Sequence, residues 1–145
     1  MLTLEQACSV GRPEGCLAVV TTLRADHTLQ SSVVNAGMML HPHSAEQVLV
    51  FVTYGRVKLG NLRARPQTAV TFRNGAQWAT VEGRAELAGP DDPQPWFQEA
   101  DLAGLLREVF VAAGGHHHDW NEYDRVMATQ RRAAVLIRPH RMYSN

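Results

Sequence analysis

The sequence predicts a mainly β protein with helices at its edges, a small β-barrel rather than a Rossmann-type sheet. Three observations carry this reading. Runs of β-branched and apolar residues recur along the chain. Neighbouring runs are joined by short turns, and Asn74-Gly75 is the clearest hairpin signal among them. The helical stretches do not alternate one for one with strands, as a parallel sheet would require. The count is about six antiparallel strands and roughly three or four helices. The chain has 145 residues, 45% of them hydrophobic. That length fits a single domain, residues 1–145, with one substantial core.

The elements follow in order. Thr3 and Gln6 form a capping box, so a short helix starts there and stops near Gly11 and Pro13. Leu17 to Leu23 is a strand, turned at Ala25-Asp26-His27, and Leu29 to Leu40 reads as one long second strand. His41-Pro42-His43-Ser44 breaks that run. Val48 to Thr53 is almost continuously apolar, the pattern of a strand buried on both faces. Arg56 to Arg65 reads as a helix that ends before Pro66. Thr68 to Arg73 and Trp78 to Leu87 are the two strands of the Asn74-Gly75 hairpin. Phe97 to Ala113 carries Leu102, Leu105, Leu106, Val109 and Phe110 on one helical face, and Gly114-Gly115 ends it. Asp119 caps a further helix along which Trp120, Tyr123 and Met127 recur. Ala133 to Ile137 is the last strand, closed by Pro139.

Charge and composition narrow the function. The net charge is zero, without the basic surplus of a nucleic-acid binder. Cys8 and Cys16 form neither a metal-binding spacing nor a disulfide framework and read as reduced thiols. Residues 1–10 lack the features of a signal peptide, and no apolar stretch is long enough to span a membrane. The expected compartment is the cytoplasm.

The best candidate site is Thr53-Tyr54-Gly55-Arg56-Val57-Lys58-Leu59-Gly60-Asn61-Leu62, where a strand runs into a helix. A helix start offers unpaired N–H groups and a partial positive charge, which suit a phosphate. Gly55 lets the backbone approach a ligand, Arg56 supplies a planar fork and Lys58 a point charge. Asn61 can bind ligand or brace the loop. Of 14 basic side chains Lys58 is the one lysine, which invites a specific role. The segment is not a Walker loop, because GxxxxGK[ST] is absent. His116-His117-His118 reads as a solvated loop, and His41 and His43 are separated by Pro42; no metal site is expected. Ser31 and Ser32 lack a nucleophile turn, Asp91 and Asp92 sit in a loop, and no catalytic acid–base pair is apparent.

Taken in order, these pieces resemble the pyridoxamine 5′-phosphate oxidase-like split-barrel superfamily, and within it the small deazaflavin (F420)-dependent oxidoreductases. The resemblance covers nearly the whole chain. It is carried by Leu17–Leu23, Gln30-Ser31-Ser32-Val33, Thr53-x-Gly55-Arg56-x-Lys58-x-x-Asn61-Leu62, Val81-Glu82-Gly83-x-Ala85, Gly114-Gly115-His116-x-His118-Asp119-Trp120-x-x-Tyr123, Arg131-Arg132 and Ile137-Arg138-Pro139-x-x-Met142-Tyr143. It implies a homodimer of split barrels with cofactor sites at the subunit interface. By that match Arg56 and Lys58 hold the cofactor phosphate, Asn61 supports it and Thr53 adds a hydroxyl. Ser32, Val33 and Asn35 lie along the ring, and Trp78 comes from the partner subunit or packs in the core. The implied activity is hydride transfer between bound coenzyme F420 and a small electrophilic substrate. An FMN-binding oxidoreductase of the same superfamily and a non-catalytic F420-storage protein are the alternatives. Arg63, Arg65 and Arg73 are candidates for the acidic tail of F420.

Overall fold

The computed structural model describes residues 1–145. Seven antiparallel strands, β1 (Leu17–Leu23), β2 (Leu29–Asn35), β3 (Gly37–Leu40), β4 (Gln47–Thr53), β5 (Gln67–Asn74), β6 (Gln77–Ala88) and β7 (Ala133–Ser144), form one sheet in the order β2-β1-β5-β6-β7-β4-β3. Four helices accompany it: α1 (Leu4–Gly11), α2 (Arg56–Ala64), α3 (Leu102–Ala112) and α4 (Trp120–Thr129).

The sheet's two edge strands, β2 and β3, are consecutive in sequence and joined by the single residue Ala36. The sheet therefore curls back on itself like a barrel, although no ladder pairs its edges. This is where the long strand expected from Leu29 to Leu40 divides. Its first part pairs with β1, in the register Val19↔Val33, and its second with β4, in the register Met38↔Leu49. Ala36 is buried between them and donates its N–H to the Cys16 carbonyl at 2.9 Å. Gly37 follows because a Cβ there would lie 1.9 Å from the Ala112 carbonyl oxygen.

Other elements follow the expected chemistry, except that the helix expected from Phe97 begins at Leu102, after a single 3-10 turn at Glu99–Asp101. Thr3 and Gln6 cap α1 reciprocally, at 3.1 and 2.9 Å, and its apolar face, Leu4, Ala7, Cys8 and Val10, enters the core. On β4, Leu49 and Phe51 face the interior of the curled sheet while Val48 and Val50 face α3 and α4, so both sides are covered. That is the physical basis of its continuous apolar run. β7 differs from expectation, running through Pro139 to Ser144. Beyond Ile137 it pairs only with β6, and Pro139 sits opposite Gly83 at a register shift. A proline is tolerated at such a position because no ladder hydrogen bond is lost there.

Candidate functional site

β4 delivers Thr53 to the end of the sheet, Tyr54-Gly55 makes the turn, and α2 begins at Arg56. No side chain caps α2, so the N–H groups of its first turn keep their capacity for a ligand. Lys58, in that first turn, is only 6% exposed and donates to the Thr53 hydroxyl at 3.2 Å. The Gly55 N–H donates to the same oxygen at 3.3 Å. With two bonds accepted, the Thr53 hydroxyl can direct its own proton elsewhere. Lys58 has no carboxylate partner; its other neighbour is the Phe51 ring, 5.9 Å away. Burial pushes the pKa of its ammonium down, and the charge of Arg132 adds to the effect.

Lys58 lies on a cavity of about 730 Å³, within the usual range for small-molecule sites. One wall is β2, with Val33, Val34 and Asn35; another is Thr53, Tyr54 and Gly55. The far wall is helical. Phe110 and Ala113 come from the end of α3, Tyr123 and Met127 from α4, and Arg132 from the residue before β7. Gly114, with φ of 87°, ends α3 in the left-handed region. Gly115 lies against the Phe110 ring, where a Cβ would approach to 2.5 Å. The Tyr123 hydroxyl donates to the Leu106 carbonyl at 3.0 Å, and burial pushes its pKa up to about 12. Tyr123 is thus a neutral wall residue.

Thr53, Gly55, Lys58, Val33 and Asn35 come together on this cavity; Arg56, Asn61, Ser32 and Trp78 do not line it. Arg56 stands exposed at the start of α2. Asn61 is a brace: its amide donates to the Thr22 hydroxyl at 3.0 Å, which donates to Gln30 at 2.7 Å, tying α2 to β1 and β2. Ser32 Oγ is buried without a hydrogen-bond partner. Trp78 packs edge-on to Tyr143 at 6.1 Å. Gly55 has φ of −64°, and a Cβ there would meet only ordinary contacts at 3.7 Å, so the turn itself does not demand glycine.

Several side chains serve the fold instead. Arg63 makes a bidentate pair with Asp92 at 2.6 and 2.7 Å, Arg65 donates to the Leu23 carbonyl, and Arg73 lies beside Glu14. None of the three reaches the cavity. His41 is buried, bonded to Glu86 at 2.6 Å, and its other ring nitrogen accepts from the His43 and Ser44 N–H groups. His117 is not simply solvated: it lines the cavity and packs against Phe110, Trp120 and Tyr123. No three His, Cys, Asp or Glu side chains converge on one point. Both cysteines are free thiols, and burial pushes Cys8 up to about 12.

The helical wall and Arg132 were not singled out from the sequence as site residues. The wall is assembled from segments far from Thr53 in the chain, and the Arg131-Arg132 doublet after α4 is the only local signal.

No known family model matches the sequence. Solved structures do resemble the fold. A conserved hypothetical protein from Mycobacterium tuberculosis superposes with a TM-score of 0.68 at 15% identity, over 99% of this chain and 84% of that one. A pyridoxamine 5′-phosphate oxidase-related, FMN-binding protein from Nostoc punctiforme gives 0.64 at 13% identity, over 95% and 79%. An F420 reductase gives 0.59 at 19% identity, over 89% and 90%. This likeness shows that the chain shares its fold with these structures, the pyridoxamine 5′-phosphate oxidase-related, FMN-binding protein and the F420 reductase among them.

Proposed function

We propose that this protein binds coenzyme F420 in the cavity between β2, α2 and α4 and acts as a reductase on a small electrophilic molecule. The observation that carries the proposal is Lys58, a buried cation without a counter-charge at the uncapped start of a helix. Such a cation is costly unless an anion joins it. A phosphate there would accept from the Lys58 ammonium, the Thr53 hydroxyl and the first N–H groups of α2. The apolar walls, Val33, Val34, Phe110 and Met127, suit a planar ring. Support at the level of fold comes from neighbours that include an F420 reductase and an FMN-binding protein.

Bound deazaflavin supplies the hydride chemistry itself, so the protein's part is to bind, orient and exclude water. Lys58 and Thr53 fix one end of the ligand. The β2 strand and the Phe110 side of the cavity fix the plane of the other. Asn61 keeps α2 in register with β1, so the phosphate end does not drift.

Equilibrium titration of purified protein with F420 and with FMN is the direct test. F420 should bind at micromolar concentration or tighter, and reduced F420 should turn over with at least one member of a panel of quinones and enones. FMN binding with no F420 binding would replace the proposed cofactor. F420 binding without turnover would leave a carrier.

A further inference from the structure

We propose that Arg132 is a second anion-holding residue, so that a ligand's negatively charged end is held between two cations, Lys58 from α2 and Arg132 from the threshold of β7. The inference rests on reading the cavity as the site of a phosphate-bearing cofactor, and it adds that the ligand presents two negative charges there.

The path of the chain argues for it. Arg131 adopts φ of 49°, a left-handed conformation uncommon for a residue with a side chain. That residue and the next stay tied to α4, through N–H bonds from Arg131 to the Ala128 carbonyl and from Arg132 to the Met127 carbonyl, at 3.1 and 3.0 Å. The doublet is thereby split. Arg131 reaches outward to Asp91, whereas Arg132 lines the cavity.

Arg132 is also held ready. Its guanidinium lies over the Tyr54 ring at 4.1 Å, a cation–π contact that fixes its plane. Its Nε donates to Gln130 at 2.8 Å. Neither terminal nitrogen has a partner in the chain, and no carboxylate pairs with it, although seven of the other twelve arginines have a carboxylate within 4.0 Å. A fork with one edge occupied and the other open matches an oxyanion. Both side chains line the same cavity; burial lowers the pKa of each, and the charge of Arg132 lowers that of Lys58 further. Glu122 is the acidic side chain of the cavity lining, and its nearest cation is Arg125 at 4.0 Å.

A terminal phosphate monoester brings two charges by itself; a phosphate diester brings one and needs a neighbouring carboxylate for the second. FMN and F420 represent these two sources. The experiment compares wild type with Arg132→Gln and Arg132→Lys, using inorganic phosphate, pyrophosphate, FMN, riboflavin and F420 as probes. Thermal denaturation should show wild type stabilised by phosphate and pyrophosphate and Arg132→Gln unresponsive. Affinity for the phosphate-bearing cofactor should fall tenfold or more in Arg132→Gln, about the loss expected for a charged hydrogen bond. Arg132→Lys should recover part of it. Riboflavin, which has no phosphate, should bind the variants as it binds wild type. Loss confined to FMN identifies the monoester, and loss confined to F420 the diester with its carboxylate.

Circular dichroism and unliganded melting establish that each variant is folded, and Arg132→Lys keeps the question open to test if Arg132→Gln is not. Equal anion stabilisation in wild type and both variants, or none in wild type, overturns the inference. Arg132-dependent stabilisation by phosphate with no binding of either cofactor leaves the two-cation site standing and removes the cofactor reading.

Discussion

Lys58 concentrates the tension between stability and function in one side chain. Its ammonium is buried against Thr53 and Phe51, and the charge that acts on it, Arg132, has the same sign. Without a ligand this arrangement costs folding free energy; with an anion it becomes an asset. Lys58→Met should therefore have opposite effects on the two states. Cofactor affinity should drop by about 1.5–3 kcal/mol, the scale of a charged hydrogen bond. The unliganded protein should melt a few degrees higher, about 2–4 °C for ~1 kcal/mol in a domain of this size. The pH dependence has a definite sign. Lys58 in the folded state titrates below its ordinary 10.5, so the unfolded chain holds the proton more tightly. Its destabilising effect is complete below the folded value and fades as pH rises from there towards 10.5. The melting advantage of Lys58→Met should shrink over that interval. An unchanged affinity together with an unchanged melting temperature would take Lys58 out of the site.

At the scale of elements, the handover between β2 and β3 fixes the site more than any turn does. Gly37 stands where β3 passes the end of α3, with the Ala112 carbonyl filling the space of a Cβ. Gly37→Ala must push α3 away from the sheet, and because Ala113 and Phe110 line the cavity, the strain reaches the ligand. We expect a loss of about 1–3 kcal/mol, the usual cost of overpacking, read as a lower denaturation midpoint, along with weaker cofactor binding. Normal stability in Gly37→Ala would show that α3 yields freely. This junction also marks where the sequence stopped being informative. Helix α1 was legible through its capping box, the β5–β6 hairpin through Asn74-Gly75, and β4 through its apolar run. The break at Ala36 was not, because the backbone remains extended and changes only its pairing partner, which leaves no turn residues behind. β7 was cut short at Pro139 for the converse reason: a strong breaker signal was overridden by a bulge that spares it a ladder bond. The site divides in the same way. Thr53, Gly55 and Lys58 are local to one junction and could be read together. Val33 and Asn35 were supplied by the resemblance, and Arg132 with the helical wall depends on tertiary packing.

At the scale of the whole molecule, the curled sheet covers one of its faces and leaves the other open at β1 and β2. Leu17 and Val19 on β1 and Leu29 and Val33 on β2 are exposed, with Val33 at 61% and Leu29 at 65%, and Val19 is the register partner of Val33. Isolated exposed apolar residues are ordinary, but a cross-strand group of them on one face marks an interaction surface. Val33 belongs to both this face and the cavity wall, so whatever covers the face also borders the site. We propose a second copy of the chain as the occupant. Trp78, which does not line the cavity of its own chain, could then contribute to a site only across the interface. Light scattering at micromolar concentration should give twice the 16.1 kDa chain mass. Val19→Asp, on the exposed side of β1 and outside the cavity lining, should yield a folded monomer, because it places a charge where the two copies would meet. If the site is shared, that monomer should also bind cofactor more weakly although none of the Lys58, Thr53 or Arg132 contacts has been altered. A monomeric wild type would end the proposal. A monomeric Val19→Asp protein with full cofactor affinity would keep the dimer but confine each site to a single chain.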